Sequence, residues 1–321
     1  MERDEKTGII YKTWGSPSPK AVFLLVHGLG AFSGRWDFLA DFFLRNNISS
    51  YAIELKGFGE TEGLKGHVDS FSIYIRDILS LYEIIKRENS GKNIFLIGDS
   101  MGGLISLLLA GPKPDLYIRG QKTAPFRRAP ACPRLRREAS RTGRDEQLSR
   151  SVFRFGKPPR HRRSGASFAG LICFSPAFKN RMKFSLTEKI KIYLGMVLYP
   201  RKQFKMPFDS QMCTRDPDCQ KAMDADKREH RLATPRLLFN ILLAQSRVNS
   251  LKEKIKIPVL FLIAGDSDKL TDPGESKAVF NGLKTKDKEI IQYTDMFHSL
   301  TIELGREKVF GDILTWVNKR I

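Results

Sequence analysis

Gly98-Asp99-Ser100-Met101-Gly102 is a Gly-x-Ser-x-Gly pentapeptide. It stands between a short apolar run, Asn93-Ile94-Phe95-Leu96-Ile97, and a second apolar run from Leu104 to Ala110. A strand that feeds a helix through two glycines makes a sharp, strained turn, and the turn lifts the serine hydroxyl clear of the sheet. That is the placement a nucleophile needs. Taken alone, the pentapeptide also fits a plain turn with two glycines, so its partners must decide.

A serine hydroxyl attacks a carbonyl at neutral pH only with a base beside it, and the base needs an orienting carboxylate. The chain has five histidines. His27 closes an early apolar run, His67 lies in a glycine-rich loop, His161 in an arginine-rich segment and His230 in a helical region. His298 follows the last short apolar run, in Thr294-Asp295-Met296-Phe297-His298-Ser299. That loop is expected at the same sheet edge as the serine turn, which makes His298 the candidate base. The carboxylate is expected one strand earlier, in Gly265-Asp266-Ser267-Asp268-Lys269-Leu270-Thr271-Asp272. Asp266 and Asp268 both fit on spacing, whereas Asp272, before Pro273, reads as a helix N-cap. One oxyanion donor is expected from the backbone N–H of Met101. A second is expected from the small-residue loop His27-Gly28-Leu29-Gly30.

These loops need a frame. Buried-strand patterns fall at 21–26, 49–55, 93–97, 169–174 and 258–264, with a short strand at 289–293 and an edge strand at 8–14. Helical patterns alternate with them at 33–46, 71–86, 104–110, 273–283 and 306–320. Strands alternating with helices predict an α/β protein with a mostly parallel sheet covered on both faces. Residues 175–250 break the alternation with mostly helical sequence, expected to cap the carboxyl edge of the sheet.

At 321 residues, 41% hydrophobic and 28% charged, the chain is long enough for one large α/β domain with an inserted subdomain. The net charge of +20 is uneven. Between Asp115 and Gly165 thirteen Arg and two Lys stand against four acidic residues, a local +11. This Pro-rich, aliphatic-poor stretch reads as an inserted arm over 118–167. A solvated loop accounts for it. It also offers a peripheral surface for an anionic membrane, whereas few aromatics interleave with its arginines, which argues against nucleic acid. The four cysteines show no Cys-x-x-Cys spacing, so free thiols are expected, with a Cys213–Cys219 bridge as the alternative. The charged start, Met1 to Lys6, lacks the apolar stretch of a secretory signal, and no run has the length of a membrane span. A cytoplasmic location is therefore expected.

With these pieces assembled, the chain resembles the α/β-hydrolase fold and, within it, the monoacylglycerol lipase / lysophospholipase group of serine hydrolases. The resemblance covers nearly all of the chain outside 118–167. It is carried by His27 to Gly30 with Ser33-Gly34-Arg35-Trp36, by Gly57 to Gly63 with Gly66 to Phe71, and by the elbow through Gly103. Ser175 to Phe178, Arg215-Asp216-Pro217, the Asp268 loop and His298 complete it.

It implies a core over 1–174 and 251–321 and a helical cap over 175–250. The implied catalytic residues are Ser100, Asp268 and His298, with Leu29 and Met101 as oxyanion N–H donors. It favours Asp268 over Asp266 through the Gly265-x-x-Asp268 spacing, and it implies no cofactor and no metal. The implied substrates are monoacylglycerols, lysophospholipid-type esters or short- to medium-chain acyl esters. The cap is expected to shape an acyl pocket, with Ile192, Leu194, Met196, Val197 and Leu198 as lining or as ordinary packing. Asp99 stands where the family more often has His, and Phe58 replaces the His of an Asp-x-x-Gly-His-Gly pattern. A peptidase on the same scaffold, and a binding protein using the basic arm, remain as alternatives.

Overall fold

In the computed structural model, residues 1–111, 166–181 and 186–321 are described. Most of the basic arm, Cys132 and His161 lie outside them. Eight strands form one sheet in the order β1-β2-β4-β3-β5-β6-β9-β10. These are β1 (Glu2–Arg3), β2 (Ile10–Trp14), β3 (Ala21–Val26), β4 (Ile48–Ile53), β5 (Asn93–Asp99), β6 (Gly170–Phe174), β9 (Val259–Ala264) and β10 (Lys288–Tyr293). β1 and β2 are antiparallel to their neighbours, and the strands from β4 to β10 run parallel.

Strands β3, β6 and β9 carry no polar side chain because both of their faces are covered. In β3, Val22, Leu24 and Val26 join one core layer, whereas Ala21, Phe23 and Leu25 join the other. The first layer packs under α2 (Phe71–Glu88), through Tyr74, Ile75, Ile78 and Leu81, and under α3 (Met101–Ala110). The second packs under α1 (Asp37–Arg45), through Leu39 and Phe43, and under the C-terminal helix α9 (Arg306–Asn318), through Phe310, Ile313 and Trp316. The expected helix over 33–46 opens as a 3-10 turn, Ser33–Trp36, before α1 begins. Ser70 caps α2, accepting from the Ser72 N–H at 3.1 Å, and thereby sets where that helix starts.

Between β6 and β9 lie α4 (Leu186–Leu198), α5 (Ser210–Cys213), α6 (Pro217–Ala225) and α7 (Pro235–Leu251). A two-stranded ribbon, β7 (Phe204–Lys205) with β8 (Leu232–Ala233), interrupts the expected helical run. Asp216 and Thr234 cap α6 and α7, each followed by a proline at the first helical position. α8 (Pro273–Gly282) begins at Asp272, whose carboxylate accepts from the N–H groups of Gly274 and Glu275, as a helix cap should. Cys173, Cys213 and Cys219 are free thiols. No helix among the described residues is long and apolar enough to cross a membrane.

Because β3, β5, β6, β9 and β10 are parallel, the loops after them all leave the sheet at one edge. Residues 27–30, 100, 175, 265–272 and 294–299 therefore meet there.

Candidate active site

Ser100 follows the last residue of β5 and precedes the first residue of α3. Its φ of 53° and ψ of −114° lie outside the regions a serine prefers, a strain on the order of 1–3 kcal/mol that the surroundings must hold in place. They do so from both sides. The Ser100 N–H donates to the Phe174 carbonyl at 2.9 Å, and the Ser100 carbonyl accepts from the N–H groups of Leu104 and Ala177. The flanking glycines are sterically required. A Cβ on Gly98 would lie 2.4 Å from the Gly102 carbonyl oxygen, and one on Gly102 would lie 2.1 Å from that of Val26.

His298 and Asp268 are bonded to each other, with His298 Nδ1 at 2.9 Å from Asp268 Oδ2. Both are buried, at 4% and 1% exposure. Asp268 Oδ1 accepts from the N–H groups of Leu270 (2.8 Å) and Thr271 (3.0 Å), and Oδ2 also accepts from the Thr271 hydroxyl (2.8 Å). Burial opposes the charge of Asp268, but His298 and these donors outweigh it and hold its pKa below the usual carboxylate value. For His298, burial disfavours the charged ring. The Asp268 charge and hydrogen bond, with Asp99 adding to them, override burial and raise its pKa above the ordinary histidine value. With Asp268 ionised, Nδ1 carries the proton and donates it, so Nε2 is the acceptor nitrogen. Asp266, the other carboxylate that fitted on spacing, is not bonded to the ring. Its backbone carbonyl, like that of Asp268, accepts from Arg181 at 2.7 Å, which ties down the loop.

Ser100, His298, Leu29 and Met101 line one cavity. Met101 is the first residue of α3, where the helix leaves its own N–H unused. The rest of the lining is mostly apolar and includes Ala31, Ala177, Met206, Phe208, Leu238, Ile241 and Leu270. None of the five α4 residues weighed as pocket lining belongs to it. Leu194, Val197 and Leu198 are instead exposed, at 50–63%. The helices of this stretch that reach the cavity are α7, through Leu238 and Ile241, and α5, through Cys213, together with the segment around Met206 and Phe208.

Several residues support the site, and two of them, Glu229 and Glu303, carried no sequence motif that singled them out. His27 is fully buried, and its Nε2 accepts from the Leu55 N–H at 3.0 Å. Its Nδ1 must then hold the proton and donate it to the Gly28 carbonyl, 2.8 Å away, fixing the loop that carries Leu29. Phe58 packs edge-on against that imidazole, with ring centroids 5.7 Å apart, so an aromatic contact stands where the family has a second histidine. Glu303, fully buried, accepts from the N–H groups of Phe297, Leu304 and Arg215, and so pins the His298 loop to the segment carrying α6. Arg35 and Glu229 form a buried ion pair at 2.7 Å on the cavity wall. Asp99, also on that wall, is 8% exposed, and its pKa is pushed up to about 6, first by burial and then against the pull of His298 and Arg35.

The comparisons agree with this frame. Human monoglyceride lipase is 25% identical over 307 residues, covering 94% of this chain and 84% of its own. Phospholipase YtpA of Bacillus subtilis is 23% identical, covering 93% and 95%. The crystal structure of a Paleococcus ferrophilus monoacylglycerol lipase superposes with a TM-score of 0.74 at 22% identity, over 98% of this chain and 99% of that one. The family described as serine aminopeptidase, S33, matches residues 17–132 and 153–305, and the unmatched residues between them fall inside the basic arm. A strained serine after a central parallel strand, and a family match spanning most of the sequence, place this chain in the serine aminopeptidase S33 family, as an α/β-hydrolase of the monoacylglycerol lipase-like kind.

Proposed function

We propose that the protein hydrolyses carboxylic esters of the monoacylglycerol or lysophospholipid type through an acyl-enzyme, with Ser100, His298 and Asp268 as its catalytic residues. The observation that carries this reading is the buried His298–Asp268 pair at 2.9 Å, opening on the same mostly apolar cavity as the strained Ser100. In this reading His298 Nε2 takes the Ser100 proton as Oγ attacks the ester carbonyl, while Asp268 holds the ring and stabilises its charged form. The N–H groups of Leu29 and Met101 bind the oxyanion. His298 then gives the proton to the departing alcohol, and the second half repeats the sequence with water in place of Ser100.

The mostly apolar lining supports an acyl chain as the group bound. The names of the relatives, monoglyceride lipase and phospholipase, point to the same substrate classes. Residues 1–174 and 251–321 carry the chemistry in this account, and residues 175–250 cover the acyl pocket. The family's description as an aminopeptidase gives a second reading, in which aminoacyl amides are cleaved by the same residues.

One panel tests both readings. Monoacylglycerols of graded chain length, a lysophospholipid and aminoacyl-anilides are offered to the wild type and to Ser100→Ala, with labelling by a serine-directed fluorophosphonate. Ester turnover and labelling that both vanish in Ser100→Ala are expected. Retained turnover in that variant would overturn the mechanism, and anilide cleavage faster than ester cleavage would move the assignment to the peptidase.

A further inference from the structure

The proposed proton path leaves Asp99 unused. It ends β5 immediately before Ser100 and lines the cavity with Ser100 and His298. Its Oδ1 is buried and has no hydrogen-bond partner. A carboxylate oxygen without a donor is costly to bury, so any charge on Asp99 has to be balanced through space.

Three elements bring charged groups to its surroundings. The 3-10 turn after β3 places Arg35, and the loop after β10 places His298, on the same cavity wall, while the loop after β9 supplies Asp268, bonded to His298. Arg35 is already engaged by Glu229, which takes both its Nε and an Nη donor. Asp268 is a like charge. His298 alone changes charge during the proposed reaction.

We propose that Asp99 is a positioning residue that acts through His298: its carboxylate is a second anion, beside Asp268, for the imidazolium formed as Ser100 gives up its proton. The proposal rests on the catalytic reading above and adds a residue to it. The attraction is reciprocal, so His298 draws the Asp99 pKa down while Asp99 draws the His298 pKa up. At neutral pH, above its value of about 6, Asp99 is mostly ionised and available for this role. On acidification both groups take up protons, and the acid limb of the rate profile belongs to the pair.

Asp99→Asn keeps the shape and removes the charge. Three changes are expected, measured per active site by fluorophosphonate titration. The acid limb of kcat/KM moves to lower pH, because His298 loses an anion. The limb steepens less, because one titrating group is gone. The plateau kcat falls on the order of tenfold with KM nearly unchanged, as for an interaction made only in the transition state.

A purely structural role would lower the titratable fraction of enzyme and leave the midpoint in place. An independent reading follows the His298 ring by NMR through a pH titration in the Ser100→Ala background, where adding Asp99→Asn should lower its pKa. Should the Asn variant fail to fold, Asp99→Ser removes the same charge and is measured identically. An unmoved limb, plateau and ring pKa in a fully titrated variant would overturn the proposal and leave the triad standing. Turnover or labelling retained by Ser100→Ala alone would instead sink the reading beneath it.

Discussion

Replacing Asp268 by Asn tests the proposed mechanism at the atom where its logic is tightest. The carboxylate accepts four hydrogen bonds: two backbone N–H groups on Oδ1, and the Thr271 hydroxyl with His298 Nδ1 on Oδ2. An asparagine has one oxygen. If it keeps the backbone pair, the amide nitrogen faces Thr271 and His298 as a donor. The hydroxyl can rotate to accept. The imidazole can accept only by moving its proton from Nδ1 to Nε2, and a protonated Nε2 cannot take the Ser100 proton. The variant therefore holds the ring in place in the wrong tautomer and also removes the anion that stabilises the imidazolium. A fall in kcat of about 10⁴ is expected, close to 5.5 kcal/mol of transition-state stabilisation, with KM altered little. Initial rates on a nitrophenyl ester and the rate of fluorophosphonate labelling should fall together. Asp266→Asn is the matched control, expected to lie within about twofold of wild type, since only the Asp266 backbone is engaged with Arg181. An Asp268→Asn enzyme that melts like the wild type and keeps kcat within tenfold would refute the assignment of the carboxylate.

Two further substitutions probe the frame around the site. Arg35→Met strands Glu229, which is 4% exposed in its side chain, and should cost about 3–5 kcal/mol and lower the melting temperature by roughly 10 °C. Adding Glu229→Leu should recover most of that loss, and a double variant no more stable than the single would show that the pair is not the unit being broken. Gly102→Ala drives a Cβ to within 2.1 Å of the Val26 carbonyl oxygen, which is backbone and cannot rotate away. It should destabilise the protein by about 3 kcal/mol and slow turnover, because the His27–Gly30 loop begins at the atoms displaced. Wild-type melting and kcat in a soluble Gly102→Ala preparation would contradict the packing described here.

The elbow was legible because its constraint is local. Two glycines, an apolar strand before and an apolar helix after are all contiguous in sequence, and the clash distances at Gly98 and Gly102 show why no other residue serves. The core strands were legible for a related reason: a strand buried on both faces must be apolar at every position, as β3 and β9 are. What could not be read was long-range and polar. Arg35 meets Glu229 across 194 residues, and Arg215 meets Glu303 across 88. Charged residues on loops carry no period, so nothing in their spacing separates a buried pair from two solvated side chains. Of the two readings of the α4 residues, cavity lining or ordinary packing, the first does not hold for this cavity. A helix with large apolar residues on several sides has no single face that declares its partner, and Tyr193, Val197 and Leu198 stand outward. The ribbon β7–β8 is two residues per strand, too short for any alternation to register.

Asp99 joins the two kinds of information. Its place in the pentapeptide is plain in the sequence, where it stands out as a carboxylate at a position at which the family more often has His. The fold shows that β5 delivers it into a wall that also holds His298, itself bonded to Asp268, and an Arg35 engaged by Glu229. Two carboxylates and one imidazole in a closed space cannot ionise independently. Asp268 is settled by four donors and stays charged, so any variability in the local field falls on the residue with an orphaned oxygen. In the proposed mechanism, the strand that leads into Ser100 thus also sets the charge that His298 experiences. A substitution at position 99 should accordingly change the acidity of His298 without touching the geometry of Ser100.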